Sequence, residues 1–119
     1  MQAKDCALLA AHYALEKKGL ELRLLDLGEL SSLTDYLLIV TGRSDRQVQA
    51  IAEAIRLGLK QEHATPPLAV EGMNEGRWVL LDYGDVMVHV FQEPVRRFYD
   101  LEGLWSEAPE VPVPGADLG

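Results

Sequence analysis

The chain has 119 residues, of which 48% are hydrophobic and 25% are charged; this excludes a largely disordered chain and fits one globular domain. The net charge of −8 disfavours direct binding to a phosphate backbone, so we expect little RNA contact and basic partners instead. One cysteine, Cys6, excludes an internal disulfide. No apolar run approaches the ~20 residues of a membrane span, and no cleavable leader is seen, so a cytoplasmic protein without membrane association is expected.

The first half of the chain predicts two helices and two strands. Apolar residues spaced by three and four predict a helix over 4–18, and apolar runs predict strands over 20–28 and 35–42. The segment 44–62 predicts a second helix, in which Ser44 and Gln47 match the capping box S-x-x-Q.

The second half predicts three strands and a short helix. A strand is expected over 68–73, and strands over 77–83 and 85–92 are expected to pair as a hairpin around Gly84. Pro94 is suited to the first turn of a short helix. The sequence therefore predicts an α/β fold, with a mixed five-stranded sheet and helices packed on it.

The chain after Trp105 looks different. Residues 106–119 are rich in proline and have no apolar periodicity. We expect a folded domain over 1–105 and a disordered or loosely packed tail over 106–119. A truncation after Trp105 is then expected to melt within a few degrees of the full chain.

The hairpin sequence WVLLDYGDVMVHVF suggests a binding surface. Trp78, Leu80 and Asp82 share one face of the first hairpin strand, whereas Tyr83 lies on the other face. Interface centres are enriched in Trp and Tyr, and acids near them select basic partners. The alternative, that Trp78 is an ordinary core residue, stays open.

An enzymatic interpretation rests on the turn TGRSD, residues 41–45. Such a turn could bind phosphate at the helix start, and Asp82 and Asp85 could supply carboxylates for Mg²⁺, as in a nucleotidyltransferase with a metal at the Gly42/Ser44 turn. Two carboxylates that share a metal from one strand should be at positions i and i+2, whereas Asp82 and Asp85 straddle a turn. A capped helix start explains TGRSD better.

The remaining candidates for chemistry are weaker. Cys6 and His12 lie on different sides of the first helix, and a Cys6–His89 nucleophile pair has only residue type in its favour. The histidines and the cysteine have no metal-ligand spacing, so no metal or other cofactor is expected. His89, between two valines, is interpreted as a sheet residue with a hydrogen-bonded ring. A further apolar cluster has a helical spacing typical of core packing: Phe98, Tyr99, Leu101, Leu104 and Trp105.

Three segments taken together resemble one known family. DYLLIVTGRSDRQVQAIAEAI, EGMNEGRWVLLDYGDVMVHVF and RRFYDLEGLW, in this order, are similar to the ribosomal silencing factor family, RsfS or Iojap. The resemblance extends from about residue 5 to Trp105.

The resemblance implies a nucleotidyltransferase-like core without transferase activity. It implies binding to ribosomal protein fourteen of the large subunit, where it would block association with the small subunit and repress translation when nutrients are short. A role in large-subunit assembly and a homodimer in the free state are also implied. The docking residues carried over from the family are Trp78, Leu80, Asp82, Tyr83 and Asp85.

Overall fold

A computed structural model describes residues 1–116, and within them no helix is long and apolar enough to cross a membrane. The strands are β1 (Leu20–Asp26), β2 (Tyr36–Gly42), β3 (Ala69–Glu71), β4 (Trp78–Asp82) and β5 (Val86–Gln92). The helices are α1 (Ala3–Glu16), α2 (Asp45–His63), α3 (Glu93–Tyr99) and the one-turn α4 (Leu101–Leu104), with a 3-10 turn at Gly28–Leu30. Each predicted helix and strand is present, with ends shifted by a few residues.

The strands form one mixed sheet in the order β1-β2-β5-β4-β3. The central strands β2 and β5 are parallel, and every other neighbouring pair is antiparallel. Strand β2 is apolar on both faces because helices pack on each side of it, as its continuous hydrophobic run predicted. The predicted α/β class with a mixed five-stranded sheet is confirmed.

Helices α1 and α2 cover one face of the sheet, which we call the helix side. The apolar stripe of α2 is fully buried there, against inward-facing valines and leucines of β2, β4 and β5. Gly58 inside α2 makes room for the Tyr13 ring of α1, since a Cβ atom at this position would lie 2.5 Å from a ring carbon. The Tyr13 hydroxyl donates to Glu62, which ties the two helices together.

The turn between β2 and α2 is a capped helix start. The backbone N–H of Gln47 donates to Ser44 Oγ at 3.1 Å, as the capping box predicted. The Gln47 side chain accepts from the N–H of Arg43 and donates to the carbonyl of Lys18. Gly42 must be a glycine because a Cβ there would lie 2.9 Å from the backbone nitrogen of Val48.

The prediction of a disordered or loosely packed tail is wrong for residues 106–116. The N–H of Asp26 donates to the carbonyl of Pro109 at 2.9 Å, and the N–H of Val111 donates to the carbonyl of Leu24 at 2.8 Å. Val111 and Val113 pack on the core of the helix side. Backbone pairing with β1 needs no apolar periodicity, so the sequence pattern did not reveal it. Residues 117–119 of the predicted tail lie outside the described part of the chain.

Candidate protein-docking site

The sheet face opposite α1 and α2 is covered only in part. Helices α3 and α4 and the chain after them pack over buried residues such as Leu25, Ile39 and Phe91. Beyond them, alternate residues of β4 and β5 stay part-exposed. These residues, which we call the open sheet face, are Trp78, Leu80 and Asp82 of β4 with Met87 and His89 of β5.

Within the open sheet face, Trp78 is held in place by three neighbouring aromatic rings. Its indole Nε1–H donates to Nδ1 of His89 at 2.9 Å. Its ring lies against Phe91 and Tyr99, with centroid distances of 4.9 Å and 4.6 Å. The residue is nevertheless only part-buried. Trp78 is therefore not an ordinary core residue, because part of its side chain packs on the core and the rest stays accessible.

Trp78 lines two hollows. One, of about 300 Å³, is lined by Arg77, Val95 and Tyr99, and the other, of about 320 Å³, by Glu71 and Leu80. A partner that fills either hollow would contact Trp78.

Exposed apolar side chains border the open sheet face at both ends. Leu33 and Leu68 are 89% and 76% exposed. They line a groove of about 430 Å³ together with Met87 and Trp105. Phe98 and Leu104, on the α3–α4 side, are 80% and 73% exposed. These exposed side chains around one face make it the candidate docking site. Sequence analysis missed Leu33 and Leu68, because single leucines in loop segments carry no periodic signal.

The predicted core packing of the cluster at residues 98–105 is only half right. Leu101 and Trp105 pack on the sheet, but Phe98, Tyr99 and Leu104 are exposed. The inward position of α3 is taken by Arg96, whose guanidinium donates to Thr41 Oγ1 at 2.8 Å and twice to Glu102. With Arg96 directed inward, the helix turns its aromatic residues outward.

The two hairpin acids have different surroundings. One carboxylate oxygen of Asp82 accepts from the N–H of Gly84 at 2.8 Å and so stabilises the turn. Asp85 is exposed, and its backbone carbonyl accepts from the N–H groups of Asp35 and Tyr36. Burial, followed by the nearby charges of Asp26 and Asp35, raises the pKa of Tyr36. This end of the sheet is therefore acidic.

Tyr83 does not share a surface with Trp78. It packs against the core of the helix side, and its hydroxyl is buried without a hydrogen-bond partner among the described residues. Burial is the main cause that raises the pKa of this hydroxyl. The alternation along the strand correctly placed Tyr83 opposite Trp78, whereas grouping it with the docking residues does not match the geometry.

The Gly42/Ser44 turn and the hairpin acids lie at opposite ends of the sheet. Gly42 pairs with Gln92, whereas Asp82 pairs with Met87, five residues earlier in β5. At about 3.3 Å per residue, these positions are separated by roughly 16 Å along the strand. A metal held by the acids could not reach a phosphate at the turn, so the described residues do not form the site that the enzymatic interpretation requires.

The other candidates for chemistry do not converge either. Cys6 is buried on the helix side, and His89 lies on the opposite face of the sheet, so the two cannot form a nucleophile pair. The predicted hydrogen-bonded ring of His89 is confirmed, with Trp78 as its partner. Within residues 1–116, no group of three or more His, Cys, Asp or Glu residues could hold a metal ion.

A part-exposed tryptophan with exposed apolar side chains and acids nearby is typical of docking surfaces, so the open sheet face is the candidate site of this α/β domain. The family model described as ribosomal silencing factor during starvation, RsfS, matches residues 1–118. The chain belongs to this family, which confirms the resemblance found in the sequence. The match extends beyond Trp105, in agreement with the packed tail.

Relatives and a solved structure agree with this assignment. The chain is 42% identical over 109 residues to ribosomal silencing factor RsfS of Bacillus subtilis, covering 92% of each protein. It is 38% identical over 115 residues to that of Halalkalibacterium halodurans, covering 97% of each. A crystal structure of a Chromobacterium violaceum protein superposes with a TM-score of 0.86 at 35% identity, covering 100% of this chain and 95% of that one.

Proposed function

We propose that this protein silences ribosomes by occlusion. The open sheet face binds ribosomal protein fourteen of the large subunit, and the bound protein prevents association of the small subunit. Translation is thereby repressed when nutrients are limiting, and the same binding can serve large-subunit assembly. Occlusion requires only a bound protein in the path of the joining subunit, so no catalytic group is needed.

One observation carries this proposal: Trp78, which is part-exposed, is held in place by His89, Phe91 and Tyr99. Interface energy is concentrated in a few central residues, and tryptophan is the residue type most enriched among them. Leu80 beside it and the exposed apolar residues around it supply the surrounding contact area. The acids at the hairpin end favour a basic partner surface, as expected of a ribosomal protein that also binds RNA.

The test follows the protein through a sucrose gradient and then measures subunit joining. Wild-type protein is expected to travel with large subunits and to reduce the light-scattering signal of association with small subunits. Trp78→Ala is expected to lose both effects. His12→Ala is the matched control, since it removes an exposed ring from α1 on the helix side and should behave as wild type.

Two results would contradict the proposal. A folded wild-type protein that stays at the top of the gradient would rule out binding to the large subunit. Wild-type protein that travels with large subunits but leaves joining unchanged would rule out occlusion. A free homodimer formed through the open sheet face would compete with the ribosome, so the gradient is run at several protein concentrations.

A further inference from the structure

The imidazole of His89 is itself held in a fixed orientation. His89 lies next to Phe91 with their rings nearly parallel, at a centroid distance of 5.7 Å and an interplanar angle of 10°. Phe91 is 1% exposed and so cannot move without disturbing the core. The cross-strand partner of His89 is Leu80, next to Asp82 and Trp78 on the same face of β4. His89 thus offers Trp78 an acceptor whose position is set by the sheet.

We propose that His89 is a positioning residue for docking: its Nδ1 fixes the Trp78 indole in the orientation that the partner recognises before the partner arrives. This inference rests on the proposed function. A free tryptophan side chain samples several rotamers, and binding would have to restrict them. Holding the indole in one rotamer beforehand removes that restriction from the binding step.

The hydrogen bond also determines the protonation of the ring. Since Nδ1 accepts from the indole, the neutral imidazole carries its proton on Nε2. Within the described residues, Nε2 has no hydrogen-bond partner, and the ring lines the groove beside Met87 and Leu37. Burial lowers the pKa of His89 to about 4, so the acceptor is available at neutral pH. A protonated ring could not accept from Trp78.

Two substitutions separate the acceptor from the shape of the ring. In His89→Asn, the amide oxygen can occupy the position of Nδ1, so the acceptor is retained on a smaller side chain. In His89→Phe, an aromatic ring is retained without an acceptor. His89→Phe is expected to weaken binding to large subunits about five- to tenfold, the range that one lost hydrogen bond produces. His89→Asn is expected to stay within about twofold of wild type.

A spectroscopic measurement tests the positioning without the ribosome. Long-range proton–nitrogen spectra of the folded wild-type protein are expected to show an unprotonated Nδ1 and a protonated Nε2 on His89. In a Trp105→Phe background, Trp78 is the single tryptophan, and its indole N–H signal should exchange faster with solvent in His89→Phe than in His89→Asn. Equal exchange rates in the two variants, or a protonated Nδ1, would overturn the proposal.

A double-mutant cycle with Trp78→Phe isolates the contact itself. Phenylalanine has no N–H to donate, so in this background His89→Phe should not weaken binding further. An equal loss in both backgrounds would mean that His89 acts by another route and would overturn its positioning role. Wild-type protein that fails to bind would overturn the proposed function, whereas wild-type binding matched by His89→Phe would overturn only the role of His89.

Discussion

At the scale of single residues, Trp78 serves the fold and the surface together. Its ring packs on Phe91, and the side chain also lines two hollows that are open to a partner. Trp78→Ala is therefore expected to weaken large-subunit binding by about 2 kcal/mol or more, as for a central aromatic anchor. It should also lower the free energy of unfolding, because part of the ring is buried. Titration of the variant against immobilised large subunits, corrected for the folded fraction, measures the first effect. Unchanged binding per folded molecule would contradict the anchor role.

His89 gives a pH dependence that can be worked out in sign. Burial lowers its pKa from 6.5 to about 4 in the folded protein. Between these values the unfolded chain binds a proton that the folded chain does not, so the free energy of unfolding falls as pH decreases through this window. The fall is at most about 1.4 kcal/mol per pH unit. Above pH 6.5 the contribution is fully present.

Urea unfolding at pH 5 and pH 7 measures this effect, with His89→Asn as the control that lacks the titrating ring. Hydrogen bonds from Arg56 and Arg96 are the chief cause that lowers the pKa of Glu53 and of Glu102. These carboxylates therefore change the free energy of unfolding below pH 4.5 and not between pH 5 and pH 7. We expect wild type to lose about 1–2 kcal/mol more than His89→Asn between the two pH values. Equal losses would show that folding does not lower the pKa of His89.

Tyr83 tests whether the helix side takes part in docking. Its hydroxyl is buried without a partner among the described residues, a state that costs about 1–3 kcal/mol. Tyr83→Phe is therefore expected to leave large-subunit binding unchanged and to keep or raise the melting temperature. A clear loss of binding in a folded Tyr83→Phe protein would return this residue to the contact surface.

At the scale of elements, helical periodicity predicted the helix α3 but not which of its residues face the sheet. A helix of this length makes about two turns, and one charged residue at its inward position is enough to turn it. Arg96 occupies that position because Thr41 and Glu102 satisfy its guanidinium, a pairing that joins β2 to α4. No sequence pattern reveals a partner 55 residues away. The periodicity therefore predicts Phe98 and Tyr99 in the core, whereas both are exposed.

The contacts of the tail with β1 and the core are expected to stabilise the fold. Truncation after Trp105 removes two backbone hydrogen bonds to β1, the Arg23–Glu110 ion pair and the packing of Val111 and Val113. We expect a loss of about 3 kcal/mol and a melting temperature lower by about 10 °C. Truncation after Ala116, which keeps all of these contacts, is the reference with which the shorter protein is compared. A protein ending at Trp105 that melts within a few degrees of the full chain would show that these contacts contribute little.

At the scale of the whole molecule, the sequence predicted the class and the element order because long periodic segments dominate both. The continuous apolar run of β2 correctly indicated a central strand, and the capping box correctly marked the start of α2. The strand order was not predicted, since pairing of β2 with β5 joins segments about 50 residues apart. The alternation along β4 correctly predicted that Trp78, Leu80 and Asp82 share one face, and that face is part-exposed. The exposed apolar residues around them depend on tertiary packing that no local pattern encodes.

The net negative charge of the whole molecule is expected to affect the rate of association with its partner. With a net charge of −8 and acids at the hairpin end, association with a basic surface should be steered. Added salt should therefore slow association more than it speeds dissociation. Asp85→Lys should slow association further, because Asp85 is exposed beside the open sheet face. Asp82→Lys should do so more strongly and should also weaken the turn that Asp82 stabilises.

Glu21→Lys is the control with the same change of charge. Glu21 is exposed at the end of β1 that pairs near Thr41, away from the hairpin. Rates on immobilised large subunits at several salt concentrations compare the variants. Association as fast as wild type in both hairpin variants, with the same dependence on salt, would leave shape and the aromatic residues to explain recognition.

The pairing of the tail with β1 has a consequence for the growing polypeptide. Arg23 and its partner Glu110 are 87 residues apart, so the outer edge of β1 stays uncovered while the rest of the sheet is synthesised. An uncovered edge strand offers its free N–H and C=O groups to other chains. In crowded conditions the nascent protein is thus vulnerable to self-association until residues 109–113 emerge and bind. A prematurely terminated product would keep the unpaired edge of β1 for its whole lifetime.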